Sequence, residues 1–144
     1  DMGYTVNTTR IKDSTISLAK RTTEANKSGA EIFLSLHVNA SDNSEAAGVE
    51  VYHLKGGSEE SVAFAEICAK KLTALLPPIS SNAKRRKTVK GANFHVLRET
   101  SMPAVLVEVG FITNEAERIR LLNNKEKIGA VLAEAINEYF SKEA

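Results

Sequence analysis

The chain has 144 residues, enough for one domain, with 42% apolar and 26% charged side chains, the balance of an ordinary folded globular protein. Its 19 basic and 18 acidic residues leave a net charge of +1, which excludes a global field steering it to nucleic acid or an anionic membrane. The single cysteine, Cys68, excludes an internal disulfide and a cysteine-rich zinc cluster, and no apolar run approaches the roughly 18 to 20 residues of a membrane span.

In chain order, Tyr4-Thr5-Val6-Asn7-Thr8 has a strand-like pattern, and residues from Ser14 to Lys27 read as a helix stopped by Gly29. Ile32-Phe33-Leu34-Ser35-Leu36 is a short apolar strand running into His37. A loop rich in Ser, Asp and Asn follows from Asn39 to Ala47, then the short strand Val49-Glu50-Val51-Tyr52. Gly56-Gly57 breaks the chain, and Ser58 with Glu59 and Glu60 opens a helix whose apolar face is Val62, Ala65, Ala69, Leu72 and Leu76. Cys68 on this helix reads as a small core residue. Pro77-Pro78 ends the helix, and a polar loop carries Lys84-Arg85-Arg86-Lys87. The spacing then predicts strands over Phe94 to Leu97 and Ala104 to Val109. Asn114-Glu115-Ala116-Glu117 has the form of a capping box, and the last helix carries Ile128, Leu132, Ala135 and Tyr139 on one face. Alternating β and α patterns with no repeat or linker predict a single α/β domain, a mostly parallel sheet with helices on both faces.

Two strands end in residues capable of chemistry. Ala104-Val105-Leu106-Val107 runs into Glu108, and burying an ionised carboxylate in such a strand costs several kcal/mol unless something compensates. Glu108 therefore reads either as an acid/base group or as a structural ion-pair partner. His37 reads either as a hydrogen-bonded strand-end histidine or as a metal ligand. In open α/β sheets the ligand crevice lies at the carboxyl ends of the strands, where both residues fall. Arg98 can take a carboxylate bidentately or pair with Glu99, and Asn39 can orient substrate or cap its own turn. The Lys84 to Lys90 run reads as a solvated loop or as a contact for anionic polymer. There is no Gly-rich phosphate loop and no Gly-x-Ser-x-Gly elbow, which argues against a nucleotide-binding or serine-hydrolase domain.

Several ordered blocks share one resemblance. They are Arg10-Ile11-Lys12-Asp13 with Leu18-Ala19-Lys20-Arg21 and Ala25-Asn26, then Ser35-Leu36-His37-Val38-Asn39-Ala40, then Gly48-Val49-Glu50-Val51-Tyr52. Gly91-Ala92-Asn93-Phe94 with Val96-Leu97-Arg98-Glu99, and the long block from Met102 through Glu108 to Asn114, continue it. Over essentially its whole length the chain resembles the zinc-dependent N-acetylmuramoyl-L-alanine amidases of bacterial cell walls, the group also used in sporulation, cell separation and phage lysis.

The resemblance implies hydrolysis of the amide between the lactyl group of N-acetylmuramic acid and L-alanine in peptidoglycan, with Zn2+ held by two histidines and a glutamate. By motif, His37 matches one zinc histidine and Glu108 the catalytic glutamate, with Asn39 and Arg98 as candidates for substrate contact. It also implies action outside the cytoplasmic membrane, secreted or in the wall or periplasm of a bacterium or as a phage lysin. Anionic wall polymer is a candidate partner for Lys84, Arg85, Arg86 and Lys87. The family opens with a strand ending in a Gly-His-Gly-Gly type loop and a helix bearing the ligand glutamate. This sequence opens at Asp1-Met2-Gly3-Tyr4 and carries neither, so residues 1–144 are expected to form an N-terminally incomplete catalytic domain. The alternative expectation is an inactive family member or fragment that binds wall or a partner.

Overall fold

A computed structural model describes residues 2–81 and 87–143. Lys84, Arg85 and Arg86 lie outside the described residues, and Lys87 is exposed. The elements in order are α1 (Leu18–Lys27), β1 (Phe33–Asn39), β2 (Glu50–Leu54), α2 (Glu59–Leu75), β3 (Val89–Ala92), α3 (His95–Arg98), β4 (Ala104–Phe111), α4 (Glu115–Asn123) and α5 (Lys125–Glu143).

The strands form a single open mixed sheet in the order β1-β4-β2-β3. β1 runs parallel to β4 and β2 parallel to β3, while β2 and β4 are antiparallel. β4 is therefore central, which matches its nearly continuous burial and its apolar sequence. β1 is an edge strand among the described residues, with Leu36 and Val38 about half exposed at 51% and 46%. Beside that edge an apolar groove of about 290 Å³ is lined by residues including Leu36, Val38, Ile112 and Leu122.

One sheet face carries the main core. Val51, Val105 and Val107 meet Phe64, Cys68 and Leu72 of α2 and Ile128, Leu132, Ala135 and Tyr139 of α5. Fully burying such aliphatic and aromatic side chains contributes about 1.5 to 3 kcal/mol each. The residues anticipated for the α5 face are all buried, as is Cys68, whose thiol is pushed up to about 12 by burial. On the other face α3 and the lower strand residues form a smaller cluster of Val96, Leu97, Ala104 and Leu106. α1 is fastened to the segment after α3 by Asn26, which donates to Glu99 O at 2.8 Å and accepts from Ser101 N at 2.9 Å. Helices thus cover both faces, as alternation predicted.

The caps follow the sequence. Ser58 accepts from Ser61 N at the start of α2, and Gly29, φ +70°, takes the left-handed position after α1. Three expectations are corrected. Residues Tyr4 to Thr8 form no strand; Tyr4 instead stacks on Phe140 and donates to Asn137 of α5, which ties the segment down without sheet pairing. The first helix begins at Leu18 rather than at Ser14, because Ser17 supplies the cap by accepting from Lys20 N. Residues 95–98 are the short helix α3, with Arg98 N bonded to Phe94 O, and the strand in this region lies earlier, at Val89–Ala92. A short apolar run of this length has no periodicity that separates strand from helix.

Asn114 caps α4 by accepting from Glu117 N at 3.1 Å, but Glu117 does not complete a capping box. Its carboxylate, with no solvent exposure, accepts from Phe111 N, Gly48 N and Arg120 instead. It thereby ties the end of β4 to the segment entering β2. Gly110 lies where the β1–β4 register shifts; its φ is +154°, and a Cβ there would stand 3.0 Å from Glu117 Oε2.

Candidate active site

Strand register decides which side chains meet. His37 of β1 lies opposite Glu108 of β4, and Glu50 of β2 lies opposite Glu108 from the other side. One position pair down, Ser35 faces Leu106 and Tyr52 faces Leu106. Because directly opposed residues point to the same side of a sheet, Ser35, His37, Leu106, Glu108, Glu50 and Tyr52 share the face opposite the main core. The two sequence candidates His37 and Glu108 are therefore neighbours across adjacent strands. β1 continues past His37 to Asn39, so the histidine sits within the strand rather than at its end.

Glu108 is partly buried, and its Oε2 is shielded from solvent with no hydrogen-bond partner among the described residues. Burial first, and the charge of Glu50 second, raise its carboxyl pKa to about 7. Among the described residues it forms no ion pair. Near neutral pH it populates both protonation states, the condition for moving protons in either direction.

Glu50, 1% exposed, is the residue that sequence reading missed. Its Oε1 accepts from Lys90 Nζ at 2.6 Å, and its Oε2 accepts from Tyr52 OH at 2.6 Å and Asn39 Nδ2 at 3.2 Å. The bond from Asn39 crosses over β4, since β1 and β2 are not adjacent. A signal was present in the alternation of Val49-Glu50-Val51-Tyr52, which puts Glu50 and Tyr52 on one face. Nothing local says that this face meets Glu108.

His37 keeps much of its surface open, and its Nε2 is 2.8 Å from Ser35 Oγ. Desolvation of the ring, then the positive charges of Arg21 and Arg10, lower its pKa, so the imidazole is held neutral, the form in which it can donate a lone pair. Asn39 accepts from Ala40 N at 2.9 Å within its own turn and donates to Glu50 at 3.2 Å. Arg98 is engaged by Glu99 at 2.7 Å and by Asn93. His53 bonds the neighbouring carbonyl of Leu54. His95 opens α3 and shares with His37 a cavity of about 200 Å³ lined by Leu18, Arg21, Ser35 and Phe94 among others.

Among the described residues no group of three His, Cys, Asp or Glu side chains is placed to hold a metal ion. His37 alone is a single imidazole donor, short of the three protein ligands of a catalytic zinc. The described residues do not by themselves fit a zinc site. No helix among the described residues is long and apolar enough to cross a membrane.

Comparison with known proteins gives the family of the chain. The N-acetylmuramoyl-L-alanine amidase family profile matches residues 1–138. The N-acetylmuramoyl-L-alanine amidase CwlM of Bacillus licheniformis is 40% identical over 113 residues, covering 77% of this chain and 41% of that protein. LytC of Bacillus subtilis, also named an N-acetylmuramoyl-L-alanine amidase, is 34% identical over 134 residues, 91% of this chain and 26% of that protein. The chain thus spans less than half the length of these relatives. Among solved structures, an N-acetylmuramoyl-L-alanine amidase from Clostridium difficile 630 superposes with a TM-score of 0.84 at 28% identity, covering 94% of this chain and 72% of that one. The catalytic domain of CwlV from Bacillus (Paenibacillus) polymyxa gives 0.78 at 30% identity, covering 92% and 70%. On sequence and fold, the chain belongs to the N-acetylmuramoyl-L-alanine amidase family.

Proposed function

We propose that this chain is the catalytic part of a hydrolase that cuts the amide between N-acetylmuramic acid and L-alanine in peptidoglycan, outside the cytoplasmic membrane, with Glu108 moving the proton. The observation that carries the reading is the Glu108 carboxyl, unpartnered at Oε2 and raised to about 7, in a central strand beside His37. Amide hydrolysis needs a base to remove a proton from water and an acid to protonate the departing nitrogen, because an amine anion is a poor leaving group. A carboxyl titrating near neutrality performs both in turn.

Glu50 keeps its negative charge beside Glu108 because Lys90, Tyr52 and Asn39 satisfy it, and that charge holds the Glu108 proton available for the nitrogen. The reading includes zinc, with the neutral His37 as one donor. His37 does not suffice by itself, and the proton transfers assigned to Glu108 do not depend on where the other donors lie.

The test is release of new L-alanine amino termini from purified peptidoglycan by the whole protein that contains this chain, with and without Glu108→Gln. The substitution is expected to lower the rate by about 10² to 10⁴, the usual contribution of general acid–base catalysis. Full activity in Glu108→Gln sinks the assignment. Sedimentation with the wall but no release of amino termini from the unsubstituted protein supports the wall-binding alternative.

A further inference from the structure

We propose that the cavity bounded by Arg21, Ser35, His37 and His95 is a carboxylate-binding subsite next to the reaction centre. The cavity is about 200 Å³ and lies between α1, α3 and the sheet face that carries Glu108. Three features of this cavity point to an anion.

The first is an uncommitted guanidinium. Arg21 is partly buried, and its Nε donates to Ile16 O at 3.1 Å, which fixes the side chain against the turn before α1. Its terminal nitrogens have no hydrogen-bond partner among the described residues, unlike Arg98, whose Nη1 is engaged by Asn93. A guanidinium anchored at Nε and open at its terminal nitrogens is preorganised for a planar acid. The second is His95 Nε2, shielded from solvent and without a partner among the described residues, on a histidine that lines the same cavity. A buried polar nitrogen left unpaired costs stability, and a ligand oxygen in the cavity would satisfy it after a small rotation of the ring. The third is charge balance. Among the described residues no Asp or Glu lines the cavity, while the guanidinium of Arg21 does.

The cavity wall is held in place. Asn26 binds α1 to Glu99 and Ser101 just beyond α3, so Arg21 and His95, on separate helices, face the cavity from elements that are tied together. Leu18, Phe94, Val96 and Leu106 supply apolar walls around the polar groups, the usual make-up of a small-ligand site.

The identity of the anion rests on the amidase reading; its charge does not. Cleavage of the muramoyl–alanine amide places the water oxygen on the acyl carbon and a proton on the nitrogen, leaving a carboxylate on the muramoyl side. The stem peptide also carries carboxylates of its own. The shared chemistry is one carboxylate, and two probes separate the sources: N-acetylmuramic acid, with N-acetylglucosamine as the analogue lacking the lactyl carboxylate, and L-alanyl-D-glutamate, with its diamide as the neutral analogue.

Binding of each probe to the whole protein that contains this chain is measured by calorimetry, and by NMR of the histidine rings in the unsubstituted protein. At least one acid is expected to bind ten-fold or more tighter than its neutral analogue and to shift the His37 and His95 ring signals. Arg21→Met, which keeps the stem length and removes the charge, is expected to abolish that preference, and Arg21→Lys to restore part of it. A muramic acid preference assigns the subsite to the acyl side, and a dipeptide preference to the stem side. Equal binding of acids and neutral analogues, ring shifts confined to residues elsewhere, or an undiminished preference in Arg21→Met overturns the subsite. The NMR measurement decides even if Arg21→Met does not fold. Activity retained by Glu108→Gln defeats the hydrolytic reading alone, because these binding measurements require no turnover.

Discussion

Lys90 Nζ lies 2.6 Å from Glu50 Oε1, and this pair keeps a buried negative charge directly across the β2–β4 ladder from Glu108. Lys90 belongs to β3, at the opposite end of the sheet from β1, so the electrostatics of the site depend on strands far apart in sequence. Removing one partner of such a pair leaves the other charge buried and uncompensated. Lys90→Met is expected to cost roughly 2 to 3 kcal/mol in urea unfolding, less than a fully buried pair because Lys90 remains partly exposed.

Glu50→Gln removes the charge that contributes to the raised pKa of Glu108. The Glu108 carboxyl, at about 7, is expected to titrate lower in this variant, while burial keeps it above the ordinary carboxylate value. A carbon-detected NMR titration reads this directly. In an activity profile, the fall on the acid side, where the base becomes protonated, moves to lower pH. An unchanged Glu108 titration removes Glu50 from the account.

Glu108 also sets a pH dependence of stability. Its folded pKa of about 7 lies above its ordinary value of 4.5, so between those values the folded state holds more proton than the unfolded state. Its contribution is most favourable below 4.5 and is lost as pH rises through about 7. Allowing for solvent screening of a partly exposed group, the loss amounts to roughly 1 to 3 kcal/mol. Glu108→Gln is expected to flatten this slope and to be the more stable protein at pH 8, an assay condition set at roughly one unit above the folded pKa. Parallel stability curves for the two proteins across this range would contradict it.

Glu117 accepts from the Phe111 and Gly48 amides and from Arg120 while fully buried. Glu117→Gln places a donor where the protein presents donors. It is expected to cost roughly 2 kcal/mol or more and to speed hydrogen exchange at the Gly48 and Phe111 amides. By comparison Asn114→Ala, which removes the cap of α4, is expected to cost about 1 kcal/mol. If the two variants melt alike, Glu117 acts as a local cap rather than as a tie between β4 and the segment before β2.

Zinc content follows from the donor geometry. With no three-donor group among the described residues, the dialysed 144-residue chain is expected to retain well under one zinc per chain by elemental analysis. Stoichiometric zinc would mean that a donor set assembles from residues that the described geometry does not bring together.

The sequence by itself determined the elements whose signals are local. Ser58 and Asn114 cap helices because a side-chain oxygen reaches an amide three residues on. The Leu132 and Tyr139 face is buried because its spacing follows the helix period. Glu108 could be singled out because a carboxylate inside Ala104-Val105-Leu106-Val107 is costly wherever that strand lies. Tertiary structure decided what has no local signal. Tyr4 to Thr8 has strand composition but no strand beside it, and a strand exists only through pairing. Residues 95–98 settle as a helical turn because Val96 and Leu97 pack on Ala104 and Leu106. The register of β1, β4 and β2 sets His37, Glu108 and Glu50 in one row, and α1 and α3 bring Arg21 and His95 to its side. Periodicity fixes which face of an element is apolar; only the packing of distant elements fixes which polar groups meet and so what their charges do to one another.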